Sequence, residues 1–262
     1  MRAASDPILV SRDAAIATVT LNRPDKLNAL TKAMWRDLGI AVARLSEEAD
    51  LRCIVLRGAG ERAFSPGNDI GEFANERSNK AQAREYGVFM HETAGILDAC
   101  PIPIVAQIHG ICVGGGLEIA TLCDIRICGE GSRFGAPIKN LGLVMAYAEM
   151  APLVRLVGPA VALEILLEGR IFGAAEAREK GLVTRVVADD AVAAEVAATA
   201  ARIAEGAPLT ARWHKAFVRR LRDPAPISEA EADACFDCFE TEDFRIGYAA
   251  FLAKQKPRFR GR

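Results

Sequence analysis

The stretch Gln107–Asp124, QIHGICVGGGLEIATLCD, sets the tightest limit on how this chain can fold. It follows the apolar run Ile102–Ala106, which reads as a short buried strand. The pattern breaks at Gly110 and reaches three successive glycines, Gly114, Gly115 and Gly116. Leu117, Ile119, Ala120 and Leu122 then resume an apolar pattern, with Glu118 the only charge among them. Strand, glycine turn and helix start follow one another, so the backbone is bare where a helix exposes its free N–H groups. Such an end attracts negative charge. A spacing of three puts Gly115 and Glu118 on one helix face, with the carboxylate leaning back toward the helix start.

A second break, Ala63-Phe-Ser-Pro-Gly-Asn-Asp-Ile70, shares this plan. It follows the apolar run Cys53–Leu56 and leads into a helical turn. Two such turns facing one pocket would aim two N–H groups at one oxygen and form an oxyanion hole. Two tight turns without a ligand are the plain alternative. Other motifs fail: Gly110–Gly116 does not fit GxGxxG, no Gly-Lys-Ser/Thr follows for a phosphate loop, and no GxSxG occurs.

Composition narrows the class. The chain has 262 residues, 51% of them apolar, enough for one large domain or a domain with a helical appendage. Its 33 basic and 34 acidic residues leave a net charge of −1, which gives no footprint for nucleic acid. No uninterrupted apolar run reaches membrane-spanning length, and the N-terminus lacks a secretory pattern. Seven scattered cysteines, several within apolar runs, read as reduced thiols of a cytoplasmic protein. Cys235 and Cys238 form a CxxC with no second ligand pair, and their spacing fits two core positions of a helix. No internal repeat is evident.

Residues 8–21 read as a hairpin turning at Arg12-Asp13, and Thr31 caps a helix to about Glu48. Further helices are expected at 80–99, 146–157, 159–168 and 174–180, with strands at 124–128, 133–137 and 182–187. After Asp189 the pattern is helical throughout, at about 190–205, 208–222, 228–240 and 243–254. The reading is an α/β core over residues 1–189 followed by a helical region over 190–262.

With these pieces in place, the chain resembles the enoyl-CoA hydratase/isomerase (crotonase) superfamily. The likeness rests on Asn22–Leu30, Ala63–Ile70, Gly110–Asp124, Phe134–Pro137, Leu141-Gly142, Ala174–Val187 and Thr241–Phe259. It implies a crotonase-like spiral of ββα units, a C-terminal helical trimerisation region, and a homotrimer or dimer of trimers. It implies an acyl-CoA thioester as substrate and no separate cofactor or metal. Carried over by position, the oxyanion donors are the amides of Asn68 and Gly115, and Glu118 is a catalytic carboxylate. The substrate path falls on Lys26, Leu27, Ala29 and Ala63, then on Pro66, Gly67, Asp69 and Ile70. It continues over Val113, Gly114, Pro137, Ile138, Leu141 and Gly142. Lys254 or Lys256 is placed near the CoA phosphates.

The sequence departs from the family pattern in two places. Hydration of a double bond uses two protic groups. The family's second glutamate falls at position 138, where this chain has Ile138. The segment Leu143–Met150 replaces a glycine-rich stretch and reads as longer and more helical. Tyr147 and Glu149 are the substitutes it offers, against plain roles as a packed aromatic and a solvated charge. Glu118 has a structural alternative too, as a buried acid bonded to backbone. His109 reads as part of the turn, His91 and His214 as ordinary helix residues, and Asp69 as a cap. The expected function is enolate chemistry on an acyl-CoA, with decarboxylation, thioester hydrolysis, retro-aldol cleavage or simple acyl-CoA binding as alternatives.

Overall fold

A computed structural model describes residues 6–262. The chain opens with a hairpin of β1 (Ile8–Asp13) and β2 (Ile16–Leu21), followed by α1 (Lys32–Ser46). Asp13 pairs with Ile16, so the turn is Ala14-Ala15 and not Arg12-Asp13. Arg12 lies in the strand, where it reaches across to ion-pair with Glu48 and Asp50. Thr31 caps α1 as expected, its hydroxyl accepting from the Met34 amide at 3.1 Å.

Three successive units then repeat one path. β3 (Cys53–Gly58) leads to β4 (Ala63–Ser65), followed by the helices α2 (Phe73–Glu76) and α3 (Lys80–Ala99). β5 (Ile104–Ile108) leads to β6 (Ile111–Val113) and α4 (Gly115–Leu122). β7 (Ile125–Gly129) leads to β8 (Arg133–Gly135) and α5 (Tyr147–Glu168). The first strand of each unit joins a six-stranded sheet ordered β1-β2-β3-β5-β7-β10. The second joins a four-stranded sheet ordered β4-β6-β8-β9. This is the ββα spiral, and its units repeat in shape without repeating in sequence. β9 (Phe172–Gly173), α6 (Ala174–Glu179) and β10 (Arg185–Val187) complete it. The short β6 was hidden in the sequence, where Ile111–Val113 reads as part of the glycine turn.

The unbroken apolar run Cys53–Leu56 is explained by burial on both faces. Ile54 and Leu56 point into the main core with Trp35, Phe64, Tyr86 and Phe134. Cys53 and Val55 point outward against α7 (Val192–Glu205), meeting Val192, Val196 and Ala200. The expected boundary at residue 189 therefore falls just before a helix that covers the large sheet. Beyond it lie α8 (Pro208–Arg220), α9 (Glu229–Asp233) and α10 (Glu242–Leu252). The tail folds back on α10: buried Asp243 accepts from the amides of Arg260 and Gly261 at 2.6 and 2.9 Å.

The helix expected at 228–240 divides into α9 and a 3₁₀ segment, Ala234–Glu240. Residues three apart eclipse in a 3₁₀ turn. Cys235 and Cys238 thus share one edge, and it faces outward: Cys235 is exposed and Cys238 half-buried. The expectation of two core positions is corrected. The other five cysteines are buried, and burial pushes the thiols of Cys53, Cys123 and Cys128 up to about 12.

α5 is long and apolar enough to cross a membrane by length and composition alone. It is instead broken at Gly158, whose φ of 77° is outside the helical region, and it carries Arg155 and Glu164. Leu153, Ala162 and Ile165 tie both halves to the core. Before it, Leu143–Ala146 belongs to no helix or strand and Ala146 is extended, so the helix expected from 146 begins at Tyr147.

Candidate active site

The first glycine break is held by a buried clamp. Asn28, with φ of 64°, donates from Nδ2 to the carbonyls of Ala59 and Ala63 at 3.1 and 2.8 Å. Asparagine tolerates this left-handed conformation better than most residues. The Ser65 hydroxyl donates to the Asn28 carbonyl at 2.9 Å and accepts from the Gly67 amide at 3.1 Å. Leu30 then bridges the turn: its amide donates to Gly67 O, and its carbonyl accepts from the Asp69 amide, both at 2.8 Å. The amide of Asn68 lies between these two bonds and has no acceptor among the described residues. Trp35 Nε1 donates to Asn68 Oδ1 at 2.6 Å and fixes the side chain of that residue.

The second break abuts the first. Gly114, with φ of 54°, ends β6, and Gly115 opens α4 with an amide that the helix leaves free. A Cβ on Gly116 would stand 2.2 Å from the Ser65 carbonyl oxygen, so α4 rests directly on the backbone of β4. A Cβ on Gly67 would stand 2.6 Å from the Gly115 nitrogen. The two turns are in backbone contact, and both border one cavity of about 380 Å³.

Ala29, Pro66, Asn68, Asp69 and Ile70 line this cavity from one side, and Val113, Gly114 and Gly115 from another. Pro137, Ile138 and Leu141 close it, together with Phe73, which sequence reasoning missed. Lys26, Leu27, Ala63, Gly67 and Gly142 are outside the lining. Ala63 and Gly67 are buried behind it, and Lys26 and Gly142 are exposed. Asp69 caps the 3₁₀ turn Ile70–Glu72 by accepting from the Gly71 amide, and ion-pairs with Arg23 at 2.9 Å. Burial raises its carboxyl, but Arg23 and the Gly71 amide outweigh this and hold it below the usual range.

Glu118 lies one turn along α4 from Gly115 and is only 4% exposed. Its Oε1 has no hydrogen-bond partner among the described residues. Burial pushes the carboxyl well above its usual range, the charge of Glu149 adds to this, and Arg77 opposes it. Glu149 stands in the first turn of α5, with Oε2 accepting from the Ala146 amide at 3.1 Å and Oε1 3.2 Å from His91 Nε2. Tyr147 goes elsewhere: its ring is 92% exposed and is not part of the cavity wall. A free aromatic at the first position of α5 points away from the core, whereas Glu149 is drawn in by the cap it makes. His109 is buried beside Gln107, whose Nε2 donates to His109 Nε2 at 3.3 Å. Lys256 pairs with Glu205, and neither it nor Lys254 borders the cavity.

A larger cleft of about 670 Å³ lies between α8 and the ends of α3 and α4. Its cations are engaged: Lys215 with Asp124, and Arg155 and Arg222 with Asp98. Neither glycine break reaches it.

A family model described as enoyl-CoA hydratase/isomerase matches residues 11–262. The chain belongs to that family. A solved structure from Magnetospirillum magneticum, described as an enoyl-CoA hydratase/carnithine racemase, is similar at 54% identity and a TM-score of 0.97, over 99% of this chain and 97% of that one. A Mycobacterium bovis protein described as "Probable enoyl-CoA hydratase" is 35% identical over 97% of this chain and 98% of its own. The crotonyl-CoA hydratase of Syntrophomonas wolfei is 32% identical over 98% of each. Membership of the enoyl-CoA hydratase/isomerase family makes the chain an enzyme of acyl-CoA metabolism with the crotonase fold.

Proposed function

We propose that this enzyme adds water to a 2-enoyl-CoA thioester, with the thioester oxygen held between the amides of Asn68 and Gly115. The reading is carried by the backbone contact of the two glycine turns, which brings two unpaired N–H groups to one cavity. Charge that develops on the oxygen as the enolate forms meets fixed dipoles, with no reorganisation during the reaction. Glu118 exchanges a proton with the carbon next to the carbonyl. Burial favours the neutral carboxyl, the form with a proton to give, and the carboxylate takes that proton back in dehydration. The thioester is the substrate, and the reaction asks for no separate cofactor. Crotonyl-CoA hydration by the wild type and by Glu118→Gln tests this; equal turnover would remove Glu118 from the mechanism.

Ile138 stands in the cavity wall where a second carboxylate would meet the acyl group. Ile138→Glu is expected to raise the rate of crotonyl-CoA hydration by about tenfold, short of the roughly 10²–10⁴-fold that a fully positioned acid or base supplies. An unchanged rate would show that the wall at Ile138 is not where the reaction uses a second acid–base group.

The assembly proposed is a trimer or a dimer of trimers in the cytoplasm. Phe236, Phe239, Tyr248, Phe251 and Leu252 leave an exposed apolar surface on the C-terminal region of a single chain. Covering it between copies would remove it from water. Light scattering of the full chain reads the mass directly.

A further inference from the structure

Asp69 in the cavity wall is held by Arg23 and the Gly71 amide, whereas Glu149 is a constrained carboxylate whose charge acts on Glu118. Glu149 enters from α5, packed beside α3 and α4. Its side chain is 12% exposed, and both oxygens are engaged, one by the Ala146 amide and one by His91 Nε2 from α3. A solvated helix charge would have neither partner. Opposite it, Glu118 Oε1 is buried with nothing to bond among the described residues. The position where relatives of the family pattern hold their second acid is apolar here, at Ile138.

Resting on the proposed hydration, we infer that Glu149, oriented by His91, is the second acid–base group of the reaction, supplying from α5 the carboxylate that position 138 lacks. In the hydration direction Glu149 takes a proton from water as the water oxygen bonds to the β-carbon. The double-bond electrons move onto the thioester oxygen at the Asn68 and Gly115 amides. They return to form the bond between the α-carbon and the proton that Glu118 gives up. Glu118 is left as a carboxylate and Glu149 as a carboxyl, and transfer of that proton back to Glu118 restores the starting pair. One water is consumed and nothing is oxidised. The charged groups facing the pair are His91 from α3 and Arg77 between α2 and α3. Arg77 is the cation whose field opposes proton uptake by Glu118.

Glu149→Gln tests this cleanly, because the amide keeps an acceptor oxygen for the Ala146 cap and the fold is retained. Two readouts are taken on the full chain: crotonyl-CoA hydration, and carboxyl-carbon NMR titration of Glu118 without substrate. The expected result is a roughly 100-fold loss of kcat with KM within about threefold, partial recovery in Glu149→Asp, and Glu118 titrating at lower pH in Glu149→Gln. A structural role would not lower kcat alone, and the titration reads the charge coupling between the two carboxyl groups. Hydration in Glu149→Gln within threefold of wild type overturns the inference and leaves the proposed function standing. A wild type that hydrates no enoyl-CoA overturns the proposed function. The inference falls with it, because the proton that Glu149 takes comes from the water added in that hydration.

Discussion

Glu118→Gln is expected to abolish hydration to within about a thousandth of the wild-type rate, while making the protein more stable above neutral pH. The first effect is the loss of a positioned acid–base group, for which about 10²–10⁴-fold is typical. The second follows from linkage. The Glu118 carboxyl, ordinarily near 4.5, is pushed well above that by burial. Between the ordinary value and the raised one, the folded chain holds a proton that the unfolded chain releases. Stability from this group is therefore complete below the ordinary value and falls as pH rises through the raised one. Glutamine does not titrate, so the variant lacks that decline. Thermal melts of both proteins across pH 4–9 read it: the curves converge at the acid end and separate toward the alkaline end, with the variant higher. A wild-type curve that climbs across the same window would show that Glu118 is held as a carboxylate in the fold.

Gly67→Ala is expected to lower kcat by about 10²–10³-fold, equal to roughly 2.7–4 kcal/mol, as for loss of one oxyanion donor. Two independent constraints meet there. The backbone φ of 97° strains any residue with a Cβ, and the added carbon would stand 2.6 Å from the Gly115 nitrogen. Relief requires the two amides to part, which is the geometry the reaction depends on. Gly60→Ala is the control, since its φ of 73° carries similar strain but its Cβ meets open space. The control should lose a little stability and no activity. Crotonyl-CoA kinetics beside urea melts separate the two cases, and equal kcat in both variants would move the oxyanion site elsewhere.

Much of this was legible in the chain itself, for identifiable reasons. The glycine triplet marked the start of α4 because only glycines permit its contact with β4, and Thr31 and Gly158 marked helix ends by capping chemistry and a broken period. Cys53–Leu56 announced a doubly covered strand by having no polar face. The features that were not legible depend on contacts remote in sequence. Trp35 drew no reading from the sequence, and only its 2.6 Å bond to Asn68 shows that it steadies the first turn. Asn28 was legible only as part of the Asn22–Leu30 resemblance, and its role as a clamp needs Ala59 and Ala63, more than 30 residues away. Tyr147 and Glu149 are two residues apart on α5, so they project to different sides. Sequence named both and had no means of choosing which side faced Glu118. The C-terminal helix ran too long in the reading because a 3₁₀ segment and an α-helix share the same apolar spacing over seven residues.

The seven thiols of this chain form two populations, five sealed and two at the outer edge of one 3₁₀ turn. For Cys53, Cys112, Cys123 and Cys128, burial suppresses the reactive thiolate as well as access. Oxidants and alkylating reagents thus meet Cys235 first and Cys238 next, in a region remote from the acyl cavity. Labelling of the remaining five requires the core to open, so the protein carries a built-in record of its own unfolding.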